Sequence, residues 1–448
     1  MPQLHDTIAA EATPPGRGSL RVVRVSGPGV RVAIEALFSA RGPRPMEKPR
    51  TLCLGEVQGV CGTLDRALAV FFPSPDSLTG QDVAEFHLHG SPGAVRGLMD
   101  ALSARGVRQA LPGEFSYRAV LNGKMSVMEA EAVNALVAAE TAAQAVGLGG
   151  GRTGPREIEF KALREGLLNL RASWEARLDF PEEVPAGPEG ACLKDLGTLI
   201  GRLKVFVEDS RALRQFREGW RVAIVGPVNS GKSSLFNAVL KRERALVTPH
   251  PGTTRDVLEE AIQLGGHALV LLDVAGIRTA ADPVEAMGME RGLEAARTAD
   301  GTLLVYDVST GWGSEEQEVL GCLPKPPVAI LANKCDLAPQ AEVYRGAFAT
   351  STLTGDGLDR VVCRLQEWVE LQAPPPGAHL LVSERQIAAA SSSLHGCLRA
   401  REALSEGLTE EVALQGIADA QRALEELLTG GSPEDLYDRI FASFCIGK

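Results

Sequence analysis

Residues 222–240 read VAIVGPVNSGKSSLFNAVL, and this stretch decides the fold of the chain around it. The apolar run VAIVG is typical of a buried strand, and the residues after the glycine-rich loop have a helical pattern. The loop matches GxxxxGKS in the strand–loop–helix context of a phosphate-binding loop, with Gly226, Gly231, Lys232 and Ser233 at the fixed positions. Loop amides and the helix N-terminus attract phosphate oxygens, Lys232 can reach the β- and γ-phosphates, and Ser233 can bind Mg²⁺. The stretch therefore predicts a nucleotide-binding α/β domain.

Two further motifs follow apolar runs downstream. LVLLDVAG, residues 269–276, ends in Asp273-x-x-Gly276, where the carboxylate can hold Mg²⁺ through water and the glycine N–H can sense the γ-phosphate. ILANKCDL, residues 330–337, contains Asn333-Lys334-x-Asp336. The carboxylate of Asp336 can accept two N–H groups of guanine, and adenine has no such donor pair at that edge. The order and spacing of the three motifs predict GTP as the nucleotide.

The catalytic water has no obvious partner beside these motifs. Many GTPases place a glutamine after DxxG, but this chain has Ile277, which cannot orient a water molecule. In VTPHPGTTRD, residues 247–256, Thr253 or Thr254 could bind Mg²⁺. An arginine finger or a monovalent cation could supply positive charge. The side-chain oxygen of Asn229 could bind such an ion, or it could only satisfy loop amides, and the residues favour neither alternative.

Composition divides the chain into four segments. Residues 1–120 mix short strands with two helical patterns and predict an α+β domain, and residues 219–375 predict an α/β domain with a parallel sheet. Residues 121–218 and 376–448 have helical patterns, so we expect one helical domain with the α/β domain inserted into it. The predicted fold class is therefore a multidomain α+β chain with a helical bundle and an inserted Ras-like P-loop domain.

Bulk properties exclude some classes of function. The net charge of −11 argues against a protein that coats nucleic acid. The first residues lack the pattern of a signal peptide. No apolar run approaches the length of about 20 residues that a helix needs to span a bilayer. Eight cysteines are scattered without CxxC pairs, which fits free thiols in a reducing cytoplasm. His87 and His89 form an HxH pair without a third ligand, so we interpret them as strand histidines.

The motifs GPVNSGKSS, PGTTRDV, DVAGIR and NKCD lie in a chain that contains DTIAAEATPPGRG near its start and FCIGK at residues 444–448. Together they resemble the tRNA modification GTPase family called MnmE or TrmE over essentially the full length. The resemblance implies a homodimeric, K⁺-stimulated GTPase whose G domains dimerise during hydrolysis. It also implies a heterotetramer with a FAD-dependent partner, MnmG or GidA, that adds a carboxymethylaminomethyl group to the wobble uridine of certain tRNAs. The N-terminal domain would then bind 5-formyltetrahydrofolate and dimerise.

The resemblance also assigns site residues. It implies K⁺ ligands at Asn229, Thr248, the backbone of His250 and Thr253, Mg²⁺ ligands at Ser233 and Thr254, and a water-positioning carboxylate at Glu285. It implies folate contacts at Arg24, Glu85, Lys124 and Lys448, and a catalytic thiol at Cys445. The expected GTP-binding residues are Asn229, Ser230, Gly231, Lys232, Ser233, Ser234, Thr248, Pro249, His250, Pro251, Gly252, Thr253, Thr254, Asp273, Val274, Ala275, Gly276, Asn333, Lys334, Cys335, Asp336, Ser351 and Thr352.

Two departures from the family pattern qualify these expectations. Pro249 and Pro251 stiffen the K⁺ loop and could alter how strongly K⁺ stimulates hydrolysis. Ser351-Thr352 stands where such proteins usually have Ser-Ala.

Two rival functions share the GTPase motifs. A membrane-anchored regulatory GTPase would use a terminal prenylation motif, but the final residue is Lys448 and the sequence upstream is acidic. A ribosome-assembly GTPase would need a basic RNA-binding module, and neither flank is strongly basic.

Overall fold

The computed structural model describes residues 5–148, 154–179, 189–210, 213–242, 258–273, 294–373, 381–406, 408–431, 436–438 and 440–447. The chain forms two compact units. The first unit comprises Met1–Ala135, Gly151–Lys204 and Ser383–Lys448, and the second comprises Leu136–Gly150 and Val205–Val382. The predicted fold class is confirmed, because the chain contains an α+β sheet domain, long packed helices and an α/β domain. The predicted boundaries at 120, 218 and 375 stay predictions.

The N-terminal part of the first unit is a seven-stranded sheet in the order β3-β4-β5-β6-β2-β1-β7. Its core is formed by α1, α2 and the inward-facing residues of the strands, among them Val23, Val25 and Phe86. Residues alternate between core and solvent along β2 and β6, so Arg24 and Glu85 share the face opposite this core. The elements are β1 Ile8–Glu11, β2 Leu20–Ser26, α1 Val30–Leu37, β3 Phe38–Ala40, β4 Cys53–Gln58, β5 Thr63–Phe72, β6 Val83–His89, α2 Pro92–Ser103, β7 Arg108–Gln109 and α3 Glu114–Leu121.

Long helices form the rest of the first unit. Helices α13 and α14 pack along each other, and α6 packs on α14. The first two approach closely at Gly396 and Gly416, where a Cβ on either glycine would lie 2.6 or 2.8 Å from the carbonyl oxygen of the other. Between α3 and the α/β domain the described helices are α4 Val127–Val137, α5 Ala142–Gly147, α6 Gly154–Asp179, α7 Glu189–Asp209 and α8 Leu213–Glu218. After that domain they are α13 Glu384–Ser405 and α14 Glu410–Thr429, followed by the 3₁₀ turn Phe441–Ser443.

One buried carboxylate joins α4 to the start of α13. Glu131 accepts hydrogen bonds from the Ser383 hydroxyl at 2.9 Å and from the Gln386 amide at 2.6 Å. The Arg385 guanidinium donates to both of its oxygens, at 2.9 and 2.8 Å. A charge this well paired stabilises the fold where a bare one would destabilise it.

The second unit contains a six-stranded sheet in the order β13-β12-β11-β8-β10-β9. All neighbouring pairs are parallel except β9 with β10. Apolar clusters cover both faces, as the Val- and Leu-rich strands predicted. Its elements are β8 Trp220–Val225, α9 Lys232–Arg242, β9 Leu258–Leu264, β10 His267–Asp273, α10 (294–298), β11 Gly301–Asp307, α11 Ser314–Cys322, β12 Ala329–Asn333, β13 Phe348–Ala349 and α12 Leu358–Gln372.

Candidate functional site

The candidate nucleotide site lies at the carboxyl edge of the parallel strands of the second unit. Strand β8 is flanked by β10 on one side and β11 on the other, so the chain changes winding direction there. Ligands of open α/β sheets bind at such a switch point. The phosphate-binding loop follows β8, and Asp273, Asp307 and Asn333 are the last residues of β10, β11 and β12. The topology therefore brings the three sequence motifs to one edge.

The phosphate-binding loop has a backbone that requires its glycines. Gly226 and Gly231 have φ values of 149° and 94°, where side chains other than glycine are strained. A Cβ on Gly226 would collide with the Val305 carbonyl oxygen, and one on Gly231 would collide with the side-chain nitrogen of Asn333. The loop therefore packs too closely against β11 and β12 for larger residues.

Lys232 is held inside this loop. Its ammonium group donates hydrogen bonds to the carbonyl oxygens of Gly226, at 3.0 Å, and Pro227, at 2.7 Å. Burial lowers the pKa of Lys232, although the charge of Asp273 opposes this shift. A phosphate would replace two neutral acceptors with an anion, which is a stronger partner for a desolvated ammonium.

The oxygens beside the loop suit Mg²⁺. Ser233 lies in the first turn of α9, which begins at Lys232, and Asp273, at the end of β10, is only 1% exposed. A hydroxyl and a carboxylate are the hard oxygen donors that Mg²⁺ prefers. The buried Ser230 hydroxyl and the Asn333 side-chain oxygen have no hydrogen-bond partner within the described ranges. Unpaired buried polar atoms of this kind are rare in folded chains, and at this edge they suit a polar ligand.

The base-recognition loop is tied to the rest of the site by hydrogen bonds. The Asn333 amide donates to the Ser230 carbonyl oxygen at 3.0 Å, which joins it to the phosphate-binding loop. The Ser351 hydroxyl donates to one oxygen of Asp336 at 2.5 Å and accepts from the amide of Thr354 at 3.2 Å. Ser351 therefore orients the Asp336 carboxylate and leaves its second oxygen for a base. Thr352 is half-buried in the same loop.

Asn229 is the one predicted K⁺ ligand that the structure describes. It has a φ of 61°, it is exposed, and its side chain forms no hydrogen bond with any described residue. The alternative that this side chain satisfies loop amides therefore has no support in the described part of the site. Ser234 is exposed on the first turn of α9, and Cys335 is half-buried beside Lys334.

Several predicted residues lie outside the described residues. They are Thr248, Pro249, His250, Pro251, Gly252, Thr253, Thr254, Val274, Ala275, Gly276, Ile277, Glu285 and Lys448.

Asp307 is a residue of this site that the sequence patterns did not indicate. One of its oxygens accepts a hydrogen bond from the Lys334 ammonium at 2.6 Å, and the other accepts from the Ser309 hydroxyl at 2.6 Å. Burial raises the pKa of Asp307, but the hydrogen bonds from Lys334 and Ser309 outweigh burial and hold that pKa below its ordinary value. A single aspartate at a strand end gives no motif, so only the strand order could have pointed to it.

A second candidate site lies on the half-buried face of the N-terminal sheet, opposite its core. Arg24 and Glu85 are cross-strand partners on β2 and β6, with a guanidinium–carboxylate distance of 2.9 Å. The other Glu85 oxygen lies 3.3 Å from Nε2 of His87. The Arg24 guanidinium also lies over the Phe115 ring, 5.8 Å from its centroid. Both ends of the pair are therefore fixed in orientation.

The segment 440–447 reaches this same face. The Arg24 guanidinium donates to the Gly447 carbonyl oxygen at 3.3 Å, and the Gly113 amide donates to the Cys445 carbonyl oxygen at 3.3 Å. Phe441 is fully buried, with its ring centroid 5.5 Å from that of Tyr117. Packing of Phe441 thus anchors the segment, while the Cys445 side chain stays exposed.

Two other predicted groups are not part of that arrangement. Lys124 packs against Gly80 and lines an open cleft with Ser126, Glu157 and Lys161, and in the described residues it forms no ion pair with Glu85. His89 pairs with Asp65 at 2.8 Å. In the described ranges no three His, Cys, Asp or Glu side chains cluster as a metal site, and none of the described helices is long and apolar enough to cross a membrane.

The fold and the motif geometry define the class of protein. A P-loop GTPase has three parts at one sheet edge: a phosphate-binding loop, an aspartate placed to hold Mg²⁺, and an NKxD loop. The second unit has all three at the carboxyl ends of its parallel strands. Family models assign the chain more closely. Residues 7–124 match the "GTP-binding protein TrmE N-terminus", and residues 127–445 match the "MnmE helical domain". The chain therefore belongs to the MnmE family of tRNA modification GTPases.

Curated relatives agree over nearly the whole length. The tRNA modification GTPase MnmE of Parasynechococcus marenigrum (strain WH8102) is 40% identical over 447 residues, which cover 99% of each chain. An MnmE of Thermus thermophilus is 40% identical over 451 residues, which cover 99% of this chain and 100% of the relative. A solved FeoB G domain from T. maritima is 23% identical, covers 34% of this chain and 98% of its own, and has a TM-score of 0.25, which is too low to support any inference.

Proposed function

We propose that this GTPase acts with a FAD-dependent partner of the MnmG or GidA type to add a carboxymethylaminomethyl group to the wobble uridine of certain tRNAs. The observation that carries the proposal is the hydrogen bond from Arg24, which also pairs with Glu85, to the carbonyl oxygen of Gly447, two residues after Cys445. A guanidinium and a carboxylate held on one sheet face, with an exposed thiol in the adjoining segment, are groups suited to binding and reacting with a small polar ligand.

The proposed ligand of that face is 5-formyltetrahydrofolate, which supplies a one-carbon unit when bound. A pterin ring offers adjacent N–H donors, and the Glu85 carboxylate can accept them. The Arg24 guanidinium holds that carboxylate and the Gly447 carbonyl in fixed positions, and it can attract the anionic glutamate tail. Cys445, two residues before Gly447, presents its thiol to solvent. Lys124 and Lys448 remain proposed contacts on the strength of the family alone.

For GTP hydrolysis, we propose that Lys232 leaves its loop carbonyls for the phosphates. Ser233 and Asp273 would hold Mg²⁺, the former directly and the latter through water, together with Thr254. Asn229 would bind K⁺ with Thr248, His250 and Thr253, and Glu285 would place the attacking water. The K⁺ would neutralise phosphate charge between two G domains, so hydrolysis would require a homodimer. The working assembly would be a cytoplasmic heterotetramer with the FAD-dependent partner.

The decisive experiment replaces the thiol in a deletion strain. Cys445→Ser should abolish wobble-uridine modification of total tRNA, measured by nucleoside mass spectrometry, while the purified variant keeps its GTP hydrolysis rate. Cys61→Ser is the matched control, because Cys61 is an exposed thiol in the turn between β4 and β5, outside the segment 440–447. If the level of modified wobble uridine is unchanged in the deletion strain, the proposed function is overturned. If Cys445→Ser also loses GTP hydrolysis, the segment 440–447 has a structural role.

Folate binding is tested separately by calorimetry. Arg24→Ala should weaken binding of 5-formyltetrahydrofolate, since it frees both Glu85 and the Gly447 carbonyl. Arg41→Ala is a suitable control, because Arg41 pairs with Glu56 at the sheet edge and is half exposed. If both variants bind 5-formyltetrahydrofolate with equal affinity, the proposal that this face binds the folate is wrong.

The K⁺ assignment has its own test. Hydrolysis should be faster in KCl than in NaCl at equal ionic strength, and Asn229→Ala should remove the difference. Equal wild-type rates in the two salts would exclude a K⁺ site.

A further inference from the structure

We propose that Asp307 is a positioning residue of the guanine-nucleotide site, which sets the rate of nucleotide release by fixing the side chain of Lys334. The two residues form a partly buried ion pair, with side-chain exposures of 29% for Lys334 and 17% for Asp307. Their separation of 2.6 Å is short for an ammonium–carboxylate pair.

Strand pairing places the two residues side by side. Asp307 and Asn333 are register partners at the ends of β11 and β12, and the Val308 amide donates to the Asn333 carbonyl oxygen at 2.9 Å. Lys334 follows directly with a φ of 63°, a left-handed conformation that is uncommon for lysine. Neighbouring strand ends thus hold both backbones.

The carboxylate of Asp307 is itself immobilised. Its second oxygen accepts from the Ser309 amide at 2.9 Å and from the Ser309 hydroxyl at 2.6 Å. The Thr310 hydroxyl donates to the Asp307 carbonyl oxygen at 2.9 Å, which closes the turn. One oxygen therefore anchors the carboxylate and the other is aimed at Lys334.

This geometry directs the stem of Lys334 along the edge where the base must lie. Lys334 stands between Asn333, which is bonded to the phosphate-binding loop, and Asp336, which is aimed by Ser351. Since its ammonium is held at the end of β11, the methylene stem spans the gap between the ends of β12 and β11. A fixed apolar stem can cover one face of a purine without losing rotamer freedom on binding.

This contact reads no base edge, so it differs from base recognition by Asp336. Asp336 accepts the N1–H and the exocyclic N–H of guanine, whereas a stem beside the ring contacts any purine. Loss of Asp307 should therefore speed the release of GDP and IDP by the same factor.

The test measures dissociation of fluorescent GDP and IDP from the full-length chain by stopped flow. Asp307→Asn keeps the shape but removes the charge, and we expect about tenfold faster release of both nucleotides. Glu315→Gln is the matched control, because it also removes one negative charge but Glu315 is exposed on α11 and is not part of the Asp307–Lys334 pair. It should change release by less than about threefold.

A double-mutant cycle separates positioning from a general structural role. In a Lys334→Met background, Asp307→Asn should change release by less than about twofold, because its effect passes through Lys334. If Asp307→Asn speeds release as much in the Lys334→Met background as it does alone, the proposal is overturned. An unchanged release rate in Asp307→Asn alone would also overturn it. A larger effect on GDP than on IDP would also overturn it.

A crystal structure of the wild-type chain with GDP provides a measurement that depends on no variant. The Lys334 ammonium should stay within hydrogen-bond distance of Asp307 while its stem lies along the purine. A broken ion pair in that complex would refute the assignment, even if Asp307→Asn does not fold.

Discussion

The buried carboxylate of Glu131 should be among the costliest side chains to remove from the first unit. Its four hydrogen bonds come from three residues at the start of the segment that resumes this unit, Ser383, Arg385 and Gln386. Glu131→Ala removes the acceptor and leaves the Arg385 charge, which is only 14% exposed, without its carboxylate.

The expected cost follows from these contacts. Breaking a buried ion pair on one side typically costs about 3–5 kcal/mol. Arg385 keeps two carbonyl acceptors at the end of α14, Glu426 at 2.7 Å and Leu427 at 3.0 Å, so the lower end applies. A loss of about 3 kcal/mol lowers the melting temperature of a unit of this size by roughly 6–12 °C.

Differential scanning calorimetry with and without GDP can measure this change. GDP should raise the melting temperature of the second unit only, because that unit contains the nucleotide site. The transition whose temperature does not change with GDP is therefore the unfolding of the first unit. Glu402→Ala is the control, because Glu402 is exposed on α13. If Glu131→Ala lowers the melting temperature of the first unit no more than Glu402→Ala does, the reasoning is refuted. A melting temperature partly restored in the Glu131→Ala/Arg385→Met double variant would support it.

Three further changes test the described sites. Gly231→Ala should weaken GDP binding about 100-fold, because a φ of 94° strains any residue with a side chain and the added Cβ would collide with Asn333. Near-normal GDP affinity of this variant by calorimetry would contradict the loop geometry. Asp336→Asn should weaken GTP binding and favour XTP, whose C2 oxygen accepts from the new amide, and a variant that still prefers GTP in competition assays would contradict the assignment of this carboxylate. Iodoacetamide at pH 8 should label Cys445 long before Cys397, because Cys397 is buried and burial raises its pKa to about 12; labelling of both at equal rates by mass spectrometry would contradict the described packing.

The motifs of the candidate nucleotide site could be recognised from the sequence because each of them is local. The phosphate-binding loop and the NKxD loop each lie within a few residues of a strand end, and a parallel sheet brings such ends together. Asp307 was missed because its partner, Lys334, is 27 residues away and its importance depends on which strands are neighbours.

The second site was harder to predict, since its groups are distant in sequence. Nothing in the local pattern of Arg24 or Glu85 distinguishes them from surface charges, and only the family resemblance selected them. The network around Glu131 was missed for the same reason, because its partners follow at least 252 residues later.

The hydrogen bond between Arg24 and Gly447 joins positions 423 residues apart, and this separation has a consequence during synthesis of the chain. At about 5–20 residues per second, a ribosome needs roughly 20 to 85 s to pass from one partner to the other. The sheet that carries Arg24 can fold early, yet Arg24 gains its Gly447 partner only after the residues between them have been synthesised. In a nascent chain, Arg24 therefore stays without this carbonyl acceptor until the intervening GTPase unit has been made.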